Sequence, residues 1–158
     1  MMGIITRLFA REAAVSPAGP ADARALASLH ASSFHRGWSE DEFERLLLDR
    51  HVVAHRATAG AALAGFILSR IVQDEAEILS VAVASARRGQ GLGRQLLDMN
   101  VRRLAALGAR AVFLEVEEGH VSARRLYRRA GFQEVGRRET YYAPEHGAAA
   151  LILRRHLP

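Results

Sequence analysis

A glycine-rich turn with two arginines is the stretch of this chain whose residue types could bind an anion. It follows an apolar segment, precedes an amphipathic helical pattern, and contains Arg88, Gly89, Gln90, Gly91, Leu92, Gly93 and Arg94. A turn that opens a helix leaves backbone N–H groups unpaired at the positive end of the helix dipole. Glycines let that backbone approach a phosphate closely, and guanidinium groups bind phosphate oxygens bidentately. The order of residues matches neither a P-loop nor the G-x-G-x-x-G turn.

Glu115 could supply a general base. It interrupts the apolar run of residues 113–116, which places a carboxylate on a predicted strand. A partly buried carboxylate is a better proton acceptor than an exposed one. Glu117 shares the same strand face by alternation and is the alternative base. A second interpretation is that Glu115 faces solvent or pairs with an arginine.

Tyr127 could supply a general acid. A phenol, whose ordinary pKa is about 10, keeps its proton at neutral pH. It can deliver that proton to a leaving thiolate, whose thiol has an ordinary pKa of about 8.5. A tyrosine on a short amphipathic helix is also a common core residue. The residue type alone leaves both interpretations open.

Taken together, these pieces resemble the GNAT superfamily of acetyl-CoA-dependent N-acetyltransferases. The matching positions are an arginine and two glycines of the turn, a later Leu-Tyr pair and a Gly-Phe pair: Arg88, Gly91, Gly93, Leu126, Tyr127, Gly131 and Phe132. The resemblance covers residues 15–156. It implies an α+β fold with a central mixed, mostly antiparallel sheet and helices on both faces. It also implies direct transfer of an acetyl group from acetyl-CoA to a primary amine.

The resemblance assigns roles to these residues. Glu115 becomes the expected general base, acting through a water, and Tyr127 the general acid. The strand before the turn would lend backbone N–H groups to the pantetheine arm and thioester, and the turn itself would hold the pyrophosphate. That strand contains Val81, Ala82 and Val83.

Within the superfamily the chain is similar to the RimI-type enzymes, which acetylate the N-terminal alanine of a small-subunit ribosomal protein. The similarity lies in residues 34–43 and 137–142, in the strand around Glu115, and in the twelve-residue step from Glu115 to Tyr127. It implies that the acceptor is a protein N-terminus, contacted by Trp38, Tyr141 and Tyr142. Two alternatives are an N-acetyltransferase of small-molecule amines or amino acids, and a non-catalytic acyl-CoA-binding module.

Two residues keep more than one interpretation. His120 stands where the RimI pattern has an asparagine that contacts the cofactor. It is a cofactor contact, a second base, or a helix-start residue facing water. Trp38 is either a substrate contact or a core aromatic that closes the helical layer.

The elements that must position these residues follow from patterning. We expect a first strand within residues 6–15, a helix from about Asp22 to Phe34, and a second helix capped by Ser39 and Glu42. Three apolar segments, at residues 51–56, 62–72 and 76–83, predict an antiparallel meander. The remaining pattern predicts helices at 93–108 and 121–130, and strands at 111–116 and near 132–142 and 148–155.

Composition narrows the class of protein. With 158 residues and 49% hydrophobic content, the chain is expected to be one domain, residues 1–158. It has no run of about eighteen apolar residues, so we expect a cytoplasmic protein with no membrane contact. The absence of cysteine excludes a cysteine-bound acyl intermediate.

Charge and histidine content also bear on the partners and metals that the protein could bind. The 22 basic residues are all arginine, and the net charge is +5. They are spread along the chain without aromatic interleaving, so we expect no direct nucleic-acid binding. The histidines are scattered, so we expect no metal. The expected state is a monomer or dimer.

Overall fold

The fold is built on a mixed sheet within residues 12–139 and 149–158, which are the residues that this computed structural model describes. The strands are β1 (Ala14–Pro17), β2 (Val52–Ala59), β3 (Ala62–Val72), β4 (Glu75–Val83), β5 (Ala111–Glu117), β6 (Gln133–Arg138) and β7 (Ala150–His156). The helices are α1 (Ala23–Ser33), α2 (Glu40–Leu48), α3 (Leu92–Ala106) and α4 (Val121–Arg129).

The spatial order of the strands is β1-β2-β3-β4-β5-β7-β6. Strands β2, β3 and β4 form the predicted antiparallel meander, and β4 and β5 are the parallel pair. A parallel connection needs a crossover, and α3 supplies it. The expected mixed, mostly antiparallel sheet is therefore confirmed.

Alternation along the strands divides the core between the two faces of the sheet. On β3, Ile67 packs in a cluster with α3 and α4, whereas Phe66 and Leu68 pack in a second cluster with α1 and α2. Leu96 and Leu97 of α3 are fully buried in the first cluster. Burying each such side chain stabilises the fold by about 1.5–3 kcal/mol. Helices on both faces, as expected, follow from this two-sided apolar sheet.

A buried polar cluster fixes α3 on the sheet. The Asn100 amide of α3 donates to the carbonyl oxygen of Val53 at 3.1 Å and lies 3.1 Å from Nδ1 of His55. Ser69 of β3 donates its hydroxyl to the Asn100 side-chain oxygen. Asn100 and Ser69 are fully buried, so these bonds replace the water contacts that burial removes. The cluster ties the helix to two strands at a defined height.

Local signals place the helix starts well and the first strand less well. Ser39 accepts from the Glu42 backbone N–H at 3.2 Å, and the Glu42 carboxylate accepts from the Ser39 N–H at 3.0 Å, which is the predicted capping box. Strand β1 lies later than expected and includes Pro17, opposite His55. An edge strand tolerates proline because one side of its backbone needs no partner. No helix in the described ranges has the length and apolar character to cross a membrane.

Candidate active site

The parallel strands β4 and β5 separate partway along their length. They pair from Glu75 opposite Ala111 to Glu77 opposite Phe113. Beyond that point β4 runs on to Val83 beside β3, and β5 runs on to Glu117 beside β7. Strands that part in this way leave backbone N–H and C=O groups facing an opening. The opening is therefore a place where a ligand can complete the hydrogen bonding of the sheet.

A β-bulge in β4 lies beside this opening. Leu68 of β3 pairs with Ser80 and the next residue, Ser69, pairs with Ile78, so Leu79 has no opposite residue. A bulge re-aims the backbone groups of its strand. Sequence reasoning assigned the opening to Val81, Ala82 and Val83 and missed Leu79, whose only signal is the adjacent apolar pair it forms with Ile78 in an alternating strand.

Ser80, next to the bulge, was also missed. Its hydroxyl is buried and has no hydrogen-bond partner among the described residues. Buried polar groups are almost always paired, so this unpaired hydroxyl beside the opening is available to a ligand that binds there.

The glycine-rich turn forms the start of α3 after a short 3₁₀ turn at Ser85–Arg87. Gly89 and Gly91 have φ values of +75° and +79°. A Cβ at either position would meet no atom within 4 Å, so the backbone conformation, and not packing, requires glycine. Gly91 is the N-cap and provides no side-chain cap, and the Gln95 N–H makes its helical bond to the Gly91 carbonyl at 3.1 Å. The first-turn N–H groups before Gln95 are thus left for an anion.

The arginines of the turn already have partners within the protein. The Nε of Arg88 donates to the carbonyl oxygen of Val83 at 3.1 Å, and the Nε of Arg94 donates to Asp98 at 2.9 Å. A guanidinium has five N–H donors, so each can still donate to a phosphate. Arg88 in addition joins the turn to the end of β4.

The end of β4, the start of α3 and α4 meet at one point. A Cβ on Gly93 would lie 3.5 Å from Cδ2 of Leu126 and 3.8 Å from Cγ2 of Val83. Tyr127, the next residue of α4, is 8% exposed and packs edge-on against Phe132 with 5.8 Å between ring centroids. Burial raises the pKa of Tyr127 to about 12. The phenol therefore remains protonated at neutral pH.

Glu115 lies on the opposite face of the sheet from Tyr127. Leu114 and Val116 pack in the same cluster as Tyr127, so the residue between them points to the other face. The Glu115 carboxylate is 39% exposed and accepts from Nη2 of Arg138 at 2.7 Å. This is the arginine-paired arrangement that the second interpretation of Glu115 predicted. The ion pair holds the carboxylate in a defined position on this face of the sheet.

His120 is the N-cap of α4. Its Nδ1 accepts from the backbone N–H of Ala123 at 3.3 Å, and the side chain is exposed. The structure therefore uses one ring nitrogen to start the helix, as the third interpretation predicted. An asparagine is a favoured N-cap residue, which gives a physical reason why the two residue types can occupy this position.

Aromatic residues gather between α1 and α2. Trp38 is partly buried against the second core cluster, and Phe34 is 40% exposed. Both rings stack on His30, a residue that sequence reasoning left unassigned. A cavity of about 540 Å³ borders Trp38 and is lined by Arg36, Gly37, Trp38, Glu42, Arg45 and Leu46.

Two predicted substrate contacts, Tyr141 and Tyr142, lie outside the described residues. The described part of the chain holds no group of three or more histidine, cysteine, aspartate or glutamate side chains arranged to bind a metal ion.

The chain is similar to proteins of known family. The model of the acetyltransferase (GNAT) family matches residues 23–132. The N-alpha-acetyltransferase RimI of Mycobacterium tuberculosis is 36% identical over 141 residues, which are 85% of this chain and 87% of that protein.

Two solved structures share the fold. The ribosomal-protein-S18-alanine N-acetyltransferase of Escherichia coli has a TM-score of 0.83 and 27% identity, over 91% of this chain and 93% of that one. Arabidopsis thaliana NAA60, solved in complex with acetyl-CoA, has a TM-score of 0.82 and 20% identity, over 92% and 98% of the chains. At the latter identity the likeness concerns the fold alone.

Proposed function

This chain belongs to the GNAT family of N-acetyltransferases, and we propose that the amine it acetylates is the N-terminal α-amine of a protein. The relative from Mycobacterium tuberculosis is an N-alpha-acetyltransferase, RimI, which supports this acceptor class. The Escherichia coli protein with the same fold is a ribosomal-protein-S18-alanine N-acetyltransferase. We therefore propose a ribosomal protein with an N-terminal alanine as the substrate, and the cytoplasm as the compartment.

The observation that carries the proposed binding of acetyl-CoA is the parting of β4 and β5 beyond Glu77 and Phe113. It opens the sheet at the bulge at Leu79 and beside the uncapped start of α3. A long ligand with an anionic end and an amide-containing arm fits such a site, because the helix start favours the anion and the open strand edge offers N–H and C=O groups. Acetyl-CoA has this composition and would supply the acetyl group as a thioester.

Binding is assigned to residues of the turn and of β4. Backbone N–H groups from Gly89 to Arg94 would hold the pyrophosphate, with Arg88 and Arg94 adding charge. The exposed edge of β4, including Val81, Ala82 and Val83, would pair with the amide-containing arm. His120 would contact the cofactor through the ring nitrogen that the helix cap does not use.

The two faces of the sheet separate the proton acceptor from the proton donor. Glu115 faces the side of α1 and α2, where an amine would enter, and it would take the amine proton, through a water, as the C–N bond forms. Tyr127 is packed on the side of α3 and α4 and would give its proton to the sulfur as the C–S bond breaks. A donor on one face and an acceptor on the other keep the two proton transfers apart.

An α-amine suits this arrangement because its pKa is near 8, about two units below that of a lysine side chain. A larger fraction of the amine is neutral at pH 7, so fewer amine molecules must lose a proton to Glu115 before the C–N bond forms. Trp38 and the α1–α2 loop would form one wall of the peptide site.

The test is thiol release from acetyl-CoA by the wild-type protein, Glu115→Gln and Glu117→Gln. Acceptors are a peptide with a free N-terminal alanine, the same peptide blocked at its N-terminus but carrying lysine, and a panel of small amines. We expect turnover only with the free N-terminus, and a loss of about 100-fold in kcat for Glu115→Gln.

Glu117→Gln is the matched control, since Glu117 lies on the same strand face two residues away. We expect it to retain most of the activity. Turnover of small amines alone, or none despite acetyl-CoA binding, would overturn the proposed acceptor. A greater loss in Glu117→Gln than in Glu115→Gln would transfer the base to Glu117.

A further inference from the structure

His30 lies at the centre of an aromatic cluster under the α1–α2 loop. It is 3% exposed. Its ring stacks on Phe34 at 4.3 Å and on Trp38 at 4.7 Å between centroids, with interplanar angles of 25° and 18°. It also meets Phe43 of α2 edge-on at 5.5 Å and Phe66 of β3 at 6.3 Å. One imidazole thus touches both helices, the loop between them and the sheet.

A hydrogen bond adds direction to this packing. The backbone N–H of Trp38 donates to Nδ1 of His30 at 3.1 Å. Nδ1 must therefore carry a lone pair, which makes the ring neutral with its proton on Nε2. A protonated imidazole has no acceptor nitrogen and could not make this bond.

The loop around Trp38 restricts the positions that this residue can adopt. A Cβ on Gly37 would lie 3.1 Å from the Cα of Ala31, so the loop backbone already rests against α1 before Trp38. Ser39, immediately after it, is fixed by the capping box of α2. Trp38 is held between these two fixed points, where its indole stacks on His30 at 4.7 Å and lies tilted against Phe43 at 5.4 Å between ring centroids.

We propose that His30 is a positioning residue for acceptor binding, which holds Trp38 through a stacked ring and an accepted N–H bond. The inference rests on the proposed function for the identity of the acceptor, and on geometry alone for the link between His30 and Trp38. His30 does not contact the reacting groups in this role. It sets the position of the indole that faces the cavity lined by Arg36, Glu42 and Arg45.

The electrostatics of the cluster agree with a neutral ring. Burial lowers the pKa of His30, and the Glu42 carboxylate on α2 opposes this effect more weakly. The aromatic rings that contact the imidazole from α2 and β3, those of Phe43 and Phe66, carry no charge. The acceptor state of Nδ1 is therefore the one populated at neutral pH.

The first test uses the fact that the chain contains a single tryptophan. Fluorescence emission and acrylamide quenching then report on Trp38 alone, whatever reaction the protein catalyses. We expect His30→Ala to increase the quenching constant and to shift the emission to longer wavelength, because the indole loses its stacked partner. His30→Asn keeps an acceptor near the position of Nδ1 and should restore part of the change.

The second test separates acceptor binding from chemistry. For His30→Ala we expect KM for a peptide with an N-terminal alanine to rise about tenfold, which is the combined effect of a lost stack and a lost hydrogen bond. We expect kcat and KM for acetyl-CoA to change by less than about twofold, because Trp38 does not contact the cofactor in this assignment. His30→Asn should show a smaller rise in peptide KM.

His55→Asn is the matched control, since His55 is equally buried but lies on the other face of the sheet beside Asn100. We expect unchanged quenching of Trp38 and unchanged peptide KM. A quenching constant in His30→Ala equal to that of the wild type would overturn the link to Trp38. If His30→Ala does not fold, the same result in His30→Asn would overturn it. Altered quenching with an unchanged peptide KM would overturn the role in acceptor binding. If the wild-type protein acetylates none of the peptides, the proposed acceptor class is wrong. The quenching experiment still tests the link between His30 and Trp38 in that case.

Discussion

At the scale of single residues, Tyr127 combines an observed packing role with the phenol that we propose as the general acid. Its ring fills the α3 side of the core against Phe132, and the same burial raises its pKa to about 12. A tyrosine on an amphipathic helix can be a core residue or an acid. The structure shows the core packing of Tyr127, and its role as an acid stays a prediction. A phenol with this pKa stays protonated at neutral pH, so its proton is in place when the thiolate leaves.

We predict that Tyr127→Phe lowers kcat by about 100-fold, because the ring packing is kept while the transferable proton is lost. KM for acetyl-CoA should change little. Steady-state kinetics with both substrates, together with calorimetric binding of acetyl-CoA, provide the measurement. Weaker acetyl-CoA binding with unchanged turnover would contradict the assignment and indicate a binding role.

At the scale of elements, the parted strands and the start of α3 act as one unit. Arg88 bonds the turn to the Val83 carbonyl, and Gly93 packs between Val83 and Leu126. The Asn100 cluster holds the middle of α3 on β2 and β3. The first three turns of α3 are therefore held at their start by the glycine turn and at their end by Asn100. This keeps the N–H groups at the helix start in a fixed direction.

We predict that Gly91→Ala lowers the free energy of unfolding by about 1–2 kcal/mol, because its φ of +79° is strained for a residue with a Cβ. It should also raise KM for acetyl-CoA, since relief of that strain would turn the first-turn N–H groups away. Urea denaturation and steady-state kinetics measure the two effects.

Gly93→Ala serves as the comparison for stability. A Cβ there would make only ordinary contacts, 3.5 Å from Leu126 and 3.8 Å from Val83, within a helix that favours alanine over glycine. We expect a change within about 0.5 kcal/mol. If the two variants were equally destabilised, backbone strain at Gly91 could not be the cause.

At the scale of the whole molecule, two buried histidines lie on opposite faces of the sheet and make stability depend on pH. Burial is the main cause that lowers the pKa of both His30 and His55, and Arg103 lowers that of His55 further. The unfolded chain therefore binds more protons than the folded one between the lowered values and the ordinary value near 6.5. The stabilising contribution is complete above this window and is lost as the pH falls through it.

We predict that the free energy of unfolding decreases as the pH falls below about 6.5, with each histidine contributing a slope of up to about 1.4 kcal/mol per pH unit. Urea denaturation between about pH 7.5 and pH 5.5 measures this slope. The double variant His30→Asn, His55→Asn should flatten it. An equally steep dependence in the double variant would assign the effect to other groups.

The sequence by itself determined most of the elements and the family. Apolar segments separated by turn residues predicted β2, β3 and β4, helical spacing predicted α3, and the Ser39–Glu42 capping box located the start of α2. These signals are local, because each depends on residues within a few positions of one another. The glycine turn, Glu115 and Tyr127 were also found from residue type and spacing, and their roles in catalysis stay predictions.

Only the tertiary structure decided where the sheet opens and what holds the site. The parting of β4 from β5 depends on residues far apart in the chain, and the bulge at Leu79 depends on pairing with Leu68 and Ser69. The pairing of Glu115 with Arg138 joins positions 23 residues apart, and the stack of His30 under Trp38 is closed by Phe66 from β3. Such features arise from packing between distant segments, whose energies no local pattern of residues records.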